Sequence, residues 1–294
     1  MELPLESVPN FSEGRERATI DAIAAALGEH AELLDVHADT DHNRSVFTLV
    51  GSEPELGDAL VAAVAVAKEC IDLRRHDGAH PRIGAADVVP IVPLRPKQME
   101  RARRCALEVA ERIGTELELP VFLYAESAGG RGPAFFRRGG LDELERRLEA
   151  GEVEPDFGPH RLDPSAGGAI VGARRPLVAF NVNLRGASLD MAREIASLVR
   201  ERGGGFPGVR ALGLDLPRAG LVQVSMNVED YEAAALHEIV ERVASEAEAR
   251  GAEVTGSELV GLMPAGAAVA AAGAILRIEG FDASRLVELR LLER

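Results

Sequence analysis

The sequence is short of cysteine, of long apolar runs and of positive charge, and each shortage removes a class of protein. Its two cysteines, Cys70 and Cys105, stand inside helical patterns without metal-ligand spacing, so both read as buried, reduced thiols. No stretch approaches the roughly 18 to 20 uninterrupted apolar residues of a membrane-crossing helix, and the run "ALVAAVAVA" is too short. The opening "MELPLESVPN" has neither a basic nor a long apolar region, so no export signal is expected and a cytoplasmic protein is. Lys and Arg number 33 against 48 Asp and Glu, a net charge of -15 that argues against nucleic acid. A phosphate-cradling G-x-x-x-x-G-K-[ST] loop is also missing, which disfavours ATP.

What is present is enough apolar material, 46% of 294 residues, for one large core or two ordinary ones, and length favours two. Arginines gather at Arg74, Arg75 and Arg82, at Arg131, Arg137 and Arg138, and at Arg174, Arg175 and Arg185. Converging, they would form a positive cleft for a small polyanion; scattered, they are solvated charges.

Hydrophobic period gives the organisation. "LPLESVP" reads as a strand, and Ser12 is placed to cap a helix carrying Ile20, Ile23 and Leu27. "ELLDVHA" and "RSVFTLVG" form a hairpin across "DTDHN", followed by a helix from about Glu55 to Arg75. The strand "ADVVPIVPL", a helix through Ile113 and the strand "PVFLYAE" complete a β-α-β-β-α-β order, with a further helix and strand added. The second half repeats that order: "PLVAFNVNL", a helix stopped by Gly203 to Gly205, the pair "VRALGLDL" and "LVQVSMNV" across "PRAG", a helix stopped by Gly251, and "AEVTGSELVGL". Two split β-α-β units predict an α+β protein with two ferredoxin-like subdomains, each a mixed sheet with helices on one face. The expected boundaries are 1–174 and 175–294. The segment from about 150 to 176, rich in proline and glycine, reads as a long ordered connection that packs, a frequent home for a ligand.

Arg74 to Gly84, "RRHDGAHPRIG", breaks this texture. Pro81 pushes His80 towards extended angles while Gly78 and Gly84 permit turns on either side, so the imidazole sits on a stiff loop. Three readings stand at this point. His80 suits a general base, with Arg82 as a fork for a carboxylate; His76 and His80 suit a helix end and its dipole; their spacing of four suits a metal, though no third ligand is indicated.

Several stretches in order, "VPNFSEG", "DHNRSVFTLVG", "RHDGAHPRIGAADVVP", "PDFGP" with "GARRPLVAFNVNL", "VQVSMNV" and "GSELVGL", resemble the glutamate formimidoyltransferases of histidine breakdown, from about Leu5 to Met263. The resemblance implies transfer of a formimino group from N-formimidoyl-L-glutamate to tetrahydrofolate, a co-substrate, by a homodimer without metal. It implies the stand-alone form, the ammonia-releasing cyclodeaminase being a separate partner, and two subdomains with a ligand groove between them. It places the catalytic histidine at His80 and a folate loop at Gly158, Pro159, His160, Arg161, Leu162, Asp163, Pro164, Ser165, Ala166 and Gly167. The chemistry asks in addition for a carboxylate to hold the cationic amidine, with Asp39 or Asp35 as candidates. It also asks for arginines on the substrate carboxylates, Arg82 and Arg137 or Arg138, and for neutral hydrogen bonds from Asn10 and Asn43. Two departures stand out: His37 where animal relatives carry aspartate, and Ala166 where they carry tryptophan. The rivals are an enzyme processing 5-formyltetrahydrofolate on the same scaffold, in the manner of a cyclo-ligase, and a folate-binding protein without turnover.

Overall fold

Leu5–Ser7 (β1) and Asn10–Phe11 (β2) are cut apart by Val8 and Pro9, yet both lie between the same two neighbours. Those neighbours are β4 (Arg44–Gly51) and β5 (Ala86–Pro93), so the broken strand fills a single place in the sheet. Beyond β4 lies its hairpin partner β3 (Glu32–Asp39). Beyond β5 come β7 (Ala169–Ala173) and then β6 (Val121–Leu123), joined by parallel pairing. In the computed structural model, which describes residues 3–292, these seven strands form one mixed sheet within a unit spanning Met1–Arg175; a second unit spans Pro176–Arg294. Residues 1, 2, 293 and 294, which carry the start of the export-signal reading and the outer domain bounds, lie outside the described residues.

The helices α1 (Arg17–Gly28), α2 (Glu53–Cys70) and α3 (Met99–Glu116) cover one face, because their apolar stripes meet every second strand residue. Ile23, Leu60, Val109, Phe47, Val89 and Val171 share that core. The intervening residues Val88, Phe122 and Ile170 point the other way, into a smaller core with Phe136 and Leu144. That second layer comes from α4 (Pro133–Arg137) and α5 (Gly140–Glu149), so the first unit has helices on both faces rather than one. The reason is visible in β5, β6 and β7, which apart from Asp87 are apolar and must be covered on both sides.

The second unit runs β8 (Val178–Arg185), α6 (Leu189–Val199), β9 (Val209–Leu216), β10 (Leu221–Val228), α7 (Leu236–Glu248), β11 (Glu253–Val260). Its strand order is β11-β8-β10-β9 and every pairing is antiparallel, not mixed as expected. Each crossover helix skips one place in the sheet, and the strand that fills the gap runs the opposite way. The first unit has the same order in β5, β1 with β2, β4 and β3, with the parallel strands added at one edge. Two helices not foreseen follow, α8 (Ala265–Leu276) and α9 (Val287–Leu292).

Three local expectations are corrected. Ser12 caps no helix: its hydroxyl donates to the Gly84 carbonyl at 2.7 Å, and the turn before α1 is held by the Glu13 carboxylate, which accepts from the Arg15 and Glu16 N–H groups. The helix read to Arg75 ends at Cys70, with a short 3₁₀ turn over Leu73–Arg75. Cys70 is exposed, because the buried stripe of α2 passes through Ala63 and Ala67 to Ile71, one residue off it. Cys105 is buried, and burial pushes its thiol up to about 12. Among the described residues no helix is long and apolar enough to cross a membrane.

Candidate active site

All eight residues of β5 are buried, and among its apolar side chains sits one carboxylate, Asp87, with no exposure at all. A charge in such a place must be paired and hydrogen-bonded. Its Oδ2 accepts from Nη1 of Arg44, the first residue of β4, at 2.7 Å, and from Nη2 of Arg137, the last residue of α4, at 2.5 Å. Oδ1 accepts from the Ile83 N–H at 2.8 Å. Burial alone would raise the Asp87 carboxyl, but Arg137 and Arg44 outweigh it and hold it far below the usual carboxylate range. Burial likewise pulls Arg44 below the usual guanidinium range, and Asp87 only partly restores it.

His80 stands over this cluster, half-buried, on the loop between α2 and β5. Its Nδ1 lies 2.8 Å from the Pro81 carbonyl and 3.4 Å from Arg44 Nη1. The carbonyl can only accept, and its contact is the shorter. Hydrogen bonding therefore assigns the proton to Nδ1 and the lone pair to Nε2. Burial first, then the positive charges of Arg44 and Arg137, lower His80 well below the usual histidine range, while Asp87 opposes them. The imidazole is thus neutral near pH 7, and once protonated it is a stronger acid than an exposed histidine. The ring of buried His42 meets it edge-on at 6.3 Å between centroids.

The loop holds this pose through Arg82. Its guanidinium donates to the carbonyls of His42, Asn43 and His80 at 2.8 to 3.1 Å and lies against the His76 ring, at 2.8 Å from Nε2. Burial brings it down to about 10. The carboxylate fork expected at Arg82 is therefore committed to backbone, and Arg82 is a positioning residue. Gly78 is required beneath it, since a Cβ there would stand 2.4 Å from the His42 carbonyl and 2.5 Å from Arg82 Nη2.

Asn43, in the left-handed region at φ 47°, accepts from Gly14 N–H and donates to the Asp77 carbonyl, both at 2.9 Å, so its amide ties loops together. Asn10 accepts from Arg44 Nε at 2.9 Å and donates to the Val8 carbonyl, which steadies the cluster. Asp39 takes the His42 N–H at 2.6 Å and faces its Nδ1 at 3.6 Å; it pairs in register with Arg44, on the same sheet face as Asp35 and His37. Arg137 enters the cluster, but on Asp87. Among the described residues no three His, Cys, Asp or Glu side chains are grouped to hold a metal ion.

The segment expected to connect the halves is built into the first unit. Leu162 packs in the small core under α4 and α5, Ala166 in the large core on the other side, so Gly158 to Gly167 passes over the end of the sheet. Asp163 and Gly167 exchange backbone hydrogen bonds at 2.9 Å, and the Asp163 carboxylate accepts from the Ser165 and Ala166 N–H groups. The turn is joined to the His80 loop by Leu73 N–H to Ser165, Ala85 N–H to Ala166 and Gly168 N–H to Ile83. His160, Arg161 and Pro164 are exposed, as is Gly158 at φ 82°; Pro159 is half-buried; Ala166, at 2% exposure, has no surface on which a ring could stack.

Within the first unit the expected clusters are not gathered as groups: Arg74 and Arg75 pair with Asp72 and Arg131 with Asp156, while Arg82 and Arg137 lie beside an unforeseen third arginine, Arg44. Arg44, His42 and Asp87 were missed in the sequence. The one available signal was a carboxylate inside the otherwise apolar strand "ADVVPIVP".

Fold and site together define a two-unit α+β protein that holds, at one end of its larger sheet, a neutral imidazole beside a buried carboxylate and two arginines. Comparison with known proteins then gives the family. Residues 4–174 match the N-terminal subdomain of the formiminotransferase domain and residues 179–284 match the formiminotransferase domain, so the chain belongs to the formiminotransferase family. It is 41% identical over 283 residues to a glutamate formimidoyltransferase of Streptococcus pyogenes serotype M1, covering 95% of each chain, and 38% identical over 294 residues to one of Thermoplasma acidophilum, covering 98% and 97%. A formimidoyltransferase-cyclodeaminase of Sus scrofa is 41% identical over 272 residues, which cover 88% of this chain and 50% of that one.

Proposed function

We propose that the protein is a glutamate formimidoyltransferase in which His80 carries the proton between the two substrates. The observation that supports this best is the imidazole itself: neutral, Nδ1 bound to a carbonyl, Nε2 the base, above a buried carboxylate with two arginines. Attack of tetrahydrofolate N5 on the amidine carbon forms the N5–C bond, and Nε2 takes the N5 proton. The tetrahedral intermediate then breaks its bond to the glutamate nitrogen, which leaves as an amine because Nε2 returns the proton to it. Products are 5-formimidoyltetrahydrofolate and L-glutamate. The lowered pKa of His80 serves the second step, since a more acidic imidazolium protonates a poor leaving group faster.

The folate loop is assigned to Gly158 to Gly167 on the family resemblance and on its attachment to the His80 loop. On the resemblance alone we extend the reading to a homodimer in the cytoplasm, beside a separate cyclodeaminase. The test is direct: purified protein with N-formimidoyl-L-glutamate and tetrahydrofolate should give the absorbance change of a substituted folate and one glutamate per turnover. Turnover only with 5-formyltetrahydrofolate and ATP, or folate binding with neither reaction, would reject the assignment.

A further inference from the structure

The motifs "VAFNVNL", "VQVSMNV" and "GSELVGL" leave polar side chains that proton transfer at His80 does not use. In the second sheet Val182, Leu184, Val224 and Met226 pack under the helices. Their neighbours Asn181 and Asn183 on β8, Gln223 and Ser225 on β10 and Glu258 on β11 share the opposite face of the sheet, Gln223 opposite Asn183 and Glu258 opposite Asn181. Gln223 is fully buried and Asn181 nearly so, at 3% exposure. Gln223 Nε2 donates to Asn183 Oδ1 at 3.0 Å and to Glu258 Oε2 at 3.2 Å; Asn181 Nδ2 donates to the same carboxylate oxygen at 3.2 Å.

A carboxylate only accepts, so the Gln223 amide cannot be turned round: its nitrogen faces Glu258 and its Oε1 points elsewhere. That Oε1 is buried and, among the described residues, has no hydrogen-bond partner. A buried acceptor without a donor is costly, and here a second acceptor, carrying negative charge, lies beside it.

We propose that this face is a binding subsite for a planar N–C–N donor edge, whose N–H groups are accepted by Gln223 Oε1 and the Glu258 carboxylate. A phosphate or carboxylate ligand, which only accepts hydrogen bonds, could satisfy neither acceptor, and an apolar one would leave Gln223 Oε1 unpaired. A carboxylate matches adjacent N–H groups on an N–C–N frame in the way it matches a guanidinium fork. The inference rests on the proposed reaction, because both of its substrates carry such an edge: the amidine of formimidoylglutamate, and N3–H with the 2-amino group of the tetrahydropterin.

The experiment uses the whole protein with Glu258→Gln and Gln223→Leu, varying each substrate in turn, with a thermal melt to identify folded variants. KM for one substrate should rise about tenfold or more while that for the other stays within about twofold. A rise for formimidoylglutamate identifies the amidine, and a rise for tetrahydrofolate the pterin. In the parent protein, formamidine and 2-amino-4-hydroxypteridine serve as probes, and one should compete with the corresponding substrate. Folded variants with both KM values unchanged overturn the subsite; so does failure of both probes to compete if neither variant folds. Should the parent transfer no formimino group, the functional assignment fails separately. The subsite is then decided by whether either probe raises the melting temperature of the parent and not of the variants.

Discussion

Asp87→Asn is the sharpest perturbation of the site, because it removes one charge and almost no volume. In the parent, a carboxylate with no exposure meets Arg44 and Arg137 at 2.7 and 2.5 Å, and their side chains are 10% and 14% exposed. The amide can keep the hydrogen bond from Ile83, but two mostly buried guanidinium groups are left without their counter-charge. Removing one partner of a buried pair costs about 3–5 kcal/mol, against about 0–1 kcal/mol for an exposed one. With a urea slope of about 1–3 kcal/mol/M, the unfolding midpoint of the first unit should fall by about 1 M or more. Asp72→Asn, at an exposed pair with Arg74, should leave the midpoint in place. Folded Asp87 has a lower pKa than its unfolded value of about 3.9, so its contribution is complete above that value and is lost as pH falls towards the folded one. Parent and variant should therefore converge in acid. His80 loses the one carboxylate that raises its pKa, so the acid limb of kcat/KM should move to lower pH. A midpoint shift below about 0.3 M, or an acid limb moving upward, would refute the charge balance described for the cluster.

His80→Ala should lower kcat by about 10²–10⁴ with little change in the urea midpoint, and near-full turnover would dismiss its proton-carrying role. In the parent, kcat/KM should hold steady from pH 8 downwards and fall only below the usual histidine value of about 6.5, because the base must be neutral and its pKa is depressed; an acid limb above that value contradicts the assigned surroundings. The same depression means that stability drawn from neutral His80 is complete above about pH 6.5 and is lost as pH falls through the folded value. Arg82→Lys cannot span three carbonyls, so kcat should fall while both KM values stay within about threefold; a rise confined to formimidoylglutamate would restore Arg82 to carboxylate binding. Gly84→Ala would put a Cβ 1.8 Å from the Gly168 carbonyl and should cost about 1–3 kcal/mol or more by urea titration, whereas an unchanged midpoint would mean that the starts of β5 and β7 are not in contact.

Elements with a clear period were legible in the sequence. The β3–β4 hairpin, the split β-α-β order of both halves and the stripe of α1 follow from apolar residues recurring at two or at three and four. The second helical layer was not, because α4 is only five residues long and its Phe136 gains meaning from Phe122, 5.1 Å away in space. His80 could be singled out because Gly78, Pro81 and Gly84 fix its backbone locally. Its partners could not, since Asp87 meets Arg44 and Arg137 across 43 and 50 residues of chain. Arg82 and Asn43 were given substrate roles from their residue types; the fold turns the Arg82 donors onto backbone carbonyls and bridges Gly14 to Asp77 through Asn43, contacts that leave no local pattern in the chain.

Strand β7 is the last of the first unit to leave the ribosome, yet it belongs between β5 and β6, and β6 has no other neighbour among the described strands. Until residue 173 has been made a slot stays open in the nascent sheet, and until Ala166 and Gly168 have been made the peptide groups of Ala85 and Ile83 lack the partners that anchor the imidazole loop. Pairing across so long a stretch of chain is slow, which makes this insertion a late step of folding. Translation thus withholds the observed pose of His80 until its unit is whole, and a prematurely terminated fragment carries the histidine without its mount.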